Sequence, residues 1–528
     1  MKKSLAMLLV LCLLIGSMAI PAFSTAEGDW LTLRIECFDR AVTGLNIEHN
    51  MQTEFAQKNF GDPNHIKLEF VPVGRWSETE ILNTWLAGGT APDICFTYDS
   101  GLAQQYVNMD GLYPLDDLLA QYGQDLVAFL GSNVLEYGQK LQADGTKIQY
   151  MLPARRISVA KLGVFIRGDW LEKLGMKEPT NVDEWVEYLR AAKAANLGGD
   201  QTVPYCLRLY PNAPLFSNYV IIDSFLDFKQ ITKEDWFSLY HEMMPGAKEA
   251  FRLLNTLYNE GLVSENFAID NGDIRDRDMN QGYAGFYIEG TTQVWPTYSD
   301  EMKKAIGDGA YWIPINPFVN ACGLALHENY AANGMNIFIP SWVSEETAAA
   351  AIKYLNWMAQ TDNMFFVQQG VEGINFDHLD EDGLPVGKKT NDQLADEYKM
   401  SGDFCFISNG SNFGSEELNI KYQAMSMVGY EDVVAKSIEL MTSNSYAPVG
   451  YTVDIQAEAD YGQMVLSKQA ELLVNTMTCA PADFDKTFDA CIQAILDVGG
   501  QEIINERRAA FQAGQIRGEF PPEVFGFE

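Results

Sequence analysis

Short alternating runs of apolar residues separate longer stretches with helical periodicity along the N-terminal part of the chain. Residues 31–37, 66–73 and 94–98 have the apolar patterns of strands. A helix is predicted over 43–60. A second one follows the capping motif Ser77-Glu-Thr-Glu80 and ends at Gly88-Gly89. Strands that alternate with helices predict parallel sheets and an α/β fold.

The same pattern recurs around residues 163–185. Residues 164–167 predict a buried strand, and Asp169 suits the first turn of a short helix that Gly175 closes. Pro179 favours an extended link. Thr180 and Asp183 then form a capping box for a helix over 181–195.

The charge balance narrows the class of partner. The chain has 37 Lys and Arg against 72 Asp and Glu, a net charge of −35. This composition argues against nucleic acid and against anionic membrane surfaces, because both require clustered basic residues. Length and a hydrophobic content of 47% favour more than one core.

The N-terminus has the pattern of a secretory signal peptide over residues 1–26. Lys2 and Lys3 precede a short apolar run, and small residues follow at 24–26. Cys12 follows Leu11 inside that run, so no lipobox is predicted. The remaining cysteines are odd in number and scattered, which favours buried thiols and leaves only a Cys37–Cys95 pair open.

No enzyme motif is complete. His241-Glu242 and His327-Glu328 begin like a zinc-protease helix, but neither has the second His, and no G-x-S-x-G occurs. The many acids guarantee close carboxylate pairs, which without geometry do not identify a glycosidase. The sequence therefore predicts no catalytic residues, no metal and no cofactor.

Ordered motifs carry a family resemblance across most of the chain. Residues 163–185 contain R-x-D-W-L-x-x-L-G and P-T-x-x-E-W, and further motifs lie at 86–94, 111–118, 150–153, 281–286, 350–357 and 370–373, before closing helices at 484–511. The chain resembles extracellular solute-binding proteins of family 1, which serve ABC importers. It is most similar to the long branch of alginate-oligosaccharide binders and LipO-like lipoproteins, although those relatives are often lipid-anchored.

The resemblance implies a type II periplasmic-binding-protein-like fold. Each lobe would hold a parallel-rich sheet flanked by helices, with the ligand cleft between the lobes. The first lobe would comprise 27–152 and 338–400, and the second 153–337 and 401–528, with crossings near 152–162, 330–335 and 399–402. The implied function is the exported, periplasmic or extracellular, monomeric substrate-binding subunit of an ABC transporter. It would capture a carbohydrate by hinge closure and deliver it to a membrane permease.

Candidate ligand residues follow the predicted strand ends, where clefts of α/β lobes bind. Aromatic rings suit the apolar faces of sugars, and charged groups suit hydroxyls. In the first lobe the candidates are Asp39, Arg40, Trp76, Tyr98 and Asp99. In the second lobe they are Arg156, Arg167, Tyr210, Tyr287, Glu289, Trp295 and Tyr446.

Two other functions stay open. The same fold could bind a peptide or another polar solute, and a secreted glycoside hydrolase is an alternative of a different class.

Many long relatives carry a calcium loop after the second helix of the 163–185 segment. Residues 195–204 keep Asn196 and Asp200 there but lack a closing carboxylate, so no structural calcium is predicted.

Overall fold

A computed structural model of the chain describes residues 30–142, 144–210 and 213–526. The predicted signal peptide, residues 1–26, lies outside them. The described part has two large hydrophobic cores around separate sheets. Ile35 and Phe96 are fully buried in the first core, and Phe165 and Trp185 in the second. The two-lobe α/β fold predicted from the sequence is therefore confirmed.

The strands are short apart from the first two and the central strands of each sheet. In chain order they are β1 (Leu31–Asp39), β2 (Ile66–Gly74), β3 (Cys95–Thr97), β4 (Gln139–Leu141), β5 (Lys147–Gln149), β6 (Met151–Arg156), β7 (Leu162–Arg167), β8 (Val203–Tyr205), β9 (Ala284–Gly290), β10 (Trp312–Ile315), β11 (His327–Glu328), β12 (Asn333–Phe338), β13 (His378–Leu379), β14 (Pro385–Val386), β15 (Ser408–Asn409), β16 (Ser445–Tyr446), β17 (Gly450–Tyr451) and β18 (Ile516–Arg517).

Helices cover the faces of both sheets and form most of the C-terminal region. The α-helices are Met51–Ala56, Asp62–Asn64, Glu78–Gly88, Ser100–Asn108, Asp116–Tyr122, Gln124–Leu130, Ser132–Leu135, Gly168–Leu174, Val182–Ala194, Tyr219–Asp223, Lys233–Ser238, Ala247–Asn259, Asp273–Asn280, Thr297–Ile306, Glu345–Met358, Thr361–Gln369, Glu416–Met425, Glu431–Thr442, Gln456–Thr478, Phe484–Ile495, Gln501–Gln512 and Pro521–Phe525.

The sheets of both lobes are more mixed in direction than the sequence pattern predicts. In the first lobe β1 pairs in parallel with β2, and a parallel bridge between Ile35 and Ile94 links β1 towards β3. A second set has the order β15-β6-β12-β3, in which β12 runs antiparallel to both neighbours. In the second lobe the order is β10-β7-β9-β8, and only β8 and β9 are parallel. The difference arises because β7 and β12 each follow a passage between lobes, so neither is placed by a right-handed βα crossover.

The 163–185 segment folds as strand, helix, loop and helix, with one change at the second helix. Gly175 ends the first helix in the left-handed region, with φ of 64°, which glycine adopts without strain. The N-cap of the second helix is Asn181, whose side chain accepts from the Glu184 backbone. Thr180 instead donates to the Glu184 carboxylate, so the predicted Thr180–Asp183 capping box is wrong.

Two first-lobe details also differ from the prediction. The helix predicted over 43–60 begins only at Met51, because the Asn50 side chain accepts from Gln52 and Thr53 and caps it there. The helix behind Ser77 begins at Glu78, but the Ser77 hydroxyl makes no capping bond. Its predicted end is confirmed by Gly89, with φ of 65°.

Core packing suggests where the chain passes between lobes. Strands β6 and β12 lie in the first-lobe sheet, and β7 lies in the second. Phe404–Ile407 fill the first core, β15 pairs with β6, and the second core resumes at Ala424. We therefore propose that the third crossing lies between residues 410 and 423, later than the predicted 399–402, because the apolar run 404–407 is needed in the first core.

The described cysteines are free thiols, so Cys37 and Cys95 do not form the pair that the sequence left open. Both are buried, and burial raises the pKa of each thiol well above its usual value, which keeps them protonated and unreactive. Within the part of the chain that the structure describes, no helix is long and apolar enough to span a bilayer.

Candidate functional site

The first-lobe candidates lie at the C-terminal ends of adjacent strands. Asp39 ends β1, and its carboxylate accepts from the Ala41 backbone at 2.7 Å. Arg40 forms a two-point ion pair with Asp403, at 2.5 and 3.0 Å. Asp99 caps the helix Ser100–Asn108 by accepting from Leu102. These three polar groups are therefore already occupied within the protein.

Trp76 and Tyr98 flank an arginine that the sequence analysis did not single out. The Arg75 guanidinium carbon lies 5.1 Å from the Trp76 ring centroid and 4.7 Å from that of Tyr98. It also lies 4.8 Å from the buried Phe38 ring. Trp76 is 87% exposed and Tyr98 is 39% exposed. Together these residues form a surface of rings and one cation, open to solvent on the Trp76 side.

Arg156 ends β6 beside this surface. Its Nε donates to the Ala331 carbonyl at 3.1 Å, and its guanidinium lies 4.6 Å from the Tyr330 ring centroid. Burial lowers the pKa of Arg156 from its usual value, although the group stays a cation at any physiological pH. The Tyr98 hydroxyl accepts from Asn409 of β15 at 3.3 Å. The site therefore adjoins the segments through which the chain crosses between lobes.

Tyr210, Tyr287 and Glu289 come together in the second lobe. The Glu289 carboxylate accepts from the Tyr210 hydroxyl, and from that of Tyr287 at 3.4 Å. Arg275, which was not predicted, donates to the Tyr210 hydroxyl at 3.3 Å. Burial, reinforced by the charge of Glu289, raises the pKa of Tyr210 to about 12. The phenols thus stay neutral donors beside a fixed carboxylate.

Tyr287, at 2% exposure, and three further predicted residues lie buried in the second lobe, so none of the four presents an open surface to a ligand. Arg167 has no exposed surface and pairs with Asp169 at 2.7 and 2.9 Å. Trp295 is 3% exposed and packs edge-on against Phe165. Tyr446 is 1% exposed and donates to a buried carboxylate, that of Asp223. Strand ends do not guarantee exposure, because loops and helices cover them.

A cavity of about 1650 Å³ lies between the lobes. The first lobe contributes the helix Ser100–Asn108 and strand β4 of the β4–β5 hairpin. Strand β12 adds Asn333 and Asn336. The second-lobe wall is rich in aromatic and charged side chains: Tyr219, Trp236, Tyr240, His241, Glu328, Tyr451, Glu458, Arg507 and Arg517. The predicted residues do not line it. Trp76 and Asp99 line a neighbouring cavity of about 440 Å³, which shares Gln105 with the large one.

The C-terminal region provides the two arginines of the large cavity. Arg507 donates to Glu458 at 2.8 Å, and its guanidinium lies 4.6 Å from the Tyr240 ring centroid. Arg517 lies 4.7 Å from the Tyr137 ring centroid of the first lobe and donates to the Glu136 carbonyl. The contacts of Arg517 with Tyr137 and Glu136 therefore join the two lobes at the cavity wall.

His241 belongs to the cavity wall and to a buried polar group behind it. Its Nδ1 lies 3.4 Å from the Asp223 carboxylate, whose other oxygen accepts from Tyr446 at 2.7 Å. The pKa of His241 is raised: burial opposes the rise, and Asp223 outweighs it. His241 therefore lines the cavity with the buried Asp223 carboxylate beside it.

A known protein family matches more than half of the chain. The profile described as bacterial extracellular solute-binding protein matches residues 50–365. This chain belongs to that family. The family resemblance predicted from the sequence is thus confirmed, and the family consists of extracellular binding proteins rather than enzymes.

Individual relatives of this solute-binding protein are distant in sequence. Lipoprotein LipO of Bacillus subtilis strain 168 is 21% identical over 379 residues, which cover 67% of this chain and 69% of LipO. The alginate-binding protein AlgQ2 without calcium ion has a TM-score of 0.60 at 19% identity, covering 92% of this chain and 99% of its own. An HMO-binding solute-binding protein from Bifidobacterium longum infantis has a TM-score of 0.65 at 15% identity, with 92% and 99% covered. These structural likenesses show a shared fold.

The residues of the candidate site that sequence reasoning missed fall into two groups. Arg75 directly precedes Trp76, so its position next to a predicted aromatic was available as a signal. Tyr137, Tyr451 and Arg517 had no such signal, because they follow no strand of a predicted sheet and come together only through packing of the C-terminal region on the first lobe. Within the described residues, no group of three or more His, Cys, Asp or Glu could hold a metal ion.

Proposed function

We propose that this solute-binding protein captures an oligosaccharide between its lobes and delivers it to the permease of an ABC transporter. The observation that carries the proposal is the cavity of about 1650 Å³ whose walls come from both lobes. Pockets for drug-sized ligands measure about 300–1,000 Å³. A larger cavity suits a ligand of several linked rings.

The chemistry of the walls supports a sugar. Tyr137, Tyr240 and Tyr451 line the cavity, and aromatic rings suit the apolar side of pyranose rings. Arg517 covers one face of Tyr137 and Arg507 one face of Tyr240, which leaves the opposite face of each ring for a sugar. Glu328, Asn333 and Gln104 provide acceptors and amide donors that suit sugar hydroxyls. A ligand held by both walls has more contacts when the lobes are close, so binding should favour closure.

Three structural neighbours with the same fold also support an oligosaccharide as the ligand. AlgQ2 is an alginate-binding protein, the Bifidobacterium protein is described as HMO-binding, and FusA of S. pneumoniae is known in a complex with kestose. The FusA structure has a TM-score of 0.56 at 13% identity and covers 92% of this chain and all of its own. The ligands of these proteins differ, so the shared fold supports the class of ligand and leaves its identity to experiment.

A calorimetric and thermal-shift screen tests the proposal. Mono- and oligosaccharides are titrated beside a peptide library, because a ligand that binds only the folded state raises the melting temperature. Saturable binding of an oligosaccharide without products on chromatography supports the proposal. Binding of peptides alone supports the alternative cargo, and sustained release of shorter sugars identifies a glycoside hydrolase.

A further inference from the structure

Arg75 differs from every other arginine in the described part of the chain. The others each donate a hydrogen bond from the guanidinium or form an ion pair with a carboxylate. The Arg75 guanidinium has neither among the described residues, and it lies over the rings of Phe38, Trp76 and Tyr98. Its Nε is buried and has no hydrogen-bond partner. Desolvating a cation without an acceptor is unfavourable. Nε is closed to solvent, so only the two terminal nitrogens of Arg75, which are not among the buried unpaired atoms, can meet an acceptor from outside.

The acids near Arg75 do not satisfy it. Burial raises the pKa of Glu78, and the charge of Arg75 only partly opposes this. Glu78 forms no ion pair with Arg75 within 4.0 Å, and one of its oxygens lacks a hydrogen-bond partner. Asp39 and Asp99 accept from backbone groups instead.

A second arginine without an ion pair adjoins the same ring. Burial raises the pKa of Tyr98, and the charge of Asp403 adds to the rise. Arg156 lies opposite Asn409 in the β15–β6 pair, and the Asn409 side chain donates to the Tyr98 hydroxyl at 3.3 Å, so Arg156 lies near the phenol that Arg75 contacts. Arg156 uses its Nε on the Ala331 carbonyl, and both of its terminal nitrogens remain available for a ligand. Arg40 also acts on Tyr98 but is already bound to Asp403.

We propose that the first-lobe strand ends form a subsite for an anionic group, a carboxylate or a sulfate, on the captured oligosaccharide. Arg75 and Arg156 offer planar donor pairs that match the two oxygens of such a group. The exposed Trp76 ring stacks on the sugar that carries it. The inference rests on the proposed function and adds the charge of the ligand to it. A neutral sugar offers only hydroxyls, which compensate a guanidinium less well than an anion does.

The test compares acidic and neutral oligosaccharides of equal length by calorimetry. The probes are tri- and tetrasaccharides of galacturonic acid, their methyl esters, sulfated counterparts, and neutral xylo- and malto-oligosaccharides. Arg75→Met keeps an unbranched apolar stem and removes the charge, and Arg75→Lys keeps the charge without the fork. Arg155→Gln is the matched control, because Arg155 precedes Arg156 in β6 but is exposed and donates to the Phe129 carbonyl.

The expected result is preferential binding of one acidic series. Arg75→Met and Arg156→Gln should each weaken it by about tenfold to a hundredfold, the range for hydrogen bonds to charged groups. The dependence of Kd on ionic strength should become shallower, and binding of neutral sugars should hardly change. Arg155→Gln should resemble the unaltered protein. The melting temperature of Arg75→Met without ligand should fall only slightly, because the ring contacts of the guanidinium are lost but no ion pair is.

Three outcomes overturn the inference. If neutral oligosaccharides bind tightly and Arg75→Met leaves their Kd and that of the acidic series unchanged, the proposed function stands and the anionic subsite does not exist. If Arg75→Met lowers the melting temperature strongly while the affinity for the acidic series is unaltered, Arg75 is a packing residue. If no saccharide of either charge binds, the proposed function fails together with the inference.

Discussion

Replacement of Trp76 by alanine should separate ligand binding from stability. The side chain is 87% exposed, and its described ring contact is the Arg75 guanidinium, 5.1 Å from the centroid. A cation–π contact at an exposed site contributes about 0.5–1 kcal/mol. Trp76→Ala should therefore lower the free energy of unfolding by no more than this amount.

The expected loss of affinity is larger. A tryptophan side chain buries about 150–250 Å² when fully covered, so a sugar stacked on one face covers about 100 Å². At about 25 cal/mol per Å², the lost contact is worth about 2.5 kcal/mol, which corresponds to a rise in Kd of about 60-fold.

The assay pairs calorimetric titration of the best saccharide from the screen with thermal unfolding of the free protein. Trp342→Ala serves as the control. Trp342 is another exposed first-lobe tryptophan, at 45%, but it follows the end of β12 that lies away from the crossing. An unchanged Kd together with a markedly lower melting temperature for Trp76→Ala would refute the reasoning, because Trp76 would then stabilise the fold and not the complex.

Three further predictions concern stability and metal binding. Asp169→Asn should lower the free energy of unfolding by about 3–5 kcal/mol in urea titrations, because it leaves Arg167 buried without its anion; a loss below 1 kcal/mol would contradict this. Burial raises the pKa of Asp169, but Arg167 and Lys173 outweigh burial and keep it below the usual value. That stabilisation is complete above the unfolded-state pKa of about 3.9 and lost as pH falls through the folded pKa, so the difference between variant and unaltered protein should shrink below about pH 4. Chelator and millimolar calcium should give the same melting temperature, and a tight calcium site abolished by Asp200→Ala would contradict that expectation.

Sequence patterns predicted the lobes well because apolar periodicity and helix ends are local. Gly89 and Gly175 end their helices through backbone geometry that glycine alone adopts easily, and both were predicted. The helix start at Met51 was missed, because the apolar pattern already suggests a helix from residue 43. The Asn50 cap that sets the true start is a single local feature within that pattern. Strand directions in the sheets were partly missed, because they depend on how the chain returns from the other lobe.

The site was predictable only as far as strand ends define it. Trp76 and Tyr98 lie where strand-end reasoning placed them. Arg167 was predicted to face the cleft because it ends a strand. Asp169, two positions further along the chain, instead forms an ion pair with it inside the core. Conversely, Arg507 and Arg517 reach the cavity from helical and hairpin segments near the C-terminus, whose docking is set by tertiary packing that no local pattern encodes.

Small-angle X-ray scattering of the full chain tests the central claim, capture between two lobes, most directly. Profiles are recorded for the free protein and at saturation with the oligosaccharide that binds most tightly in the calorimetric screen. The account predicts a smaller radius of gyration on binding, because contacts from both walls of the cavity of about 1650 Å³ favour the closed arrangement. An unchanged radius of gyration at proven saturation would contradict it.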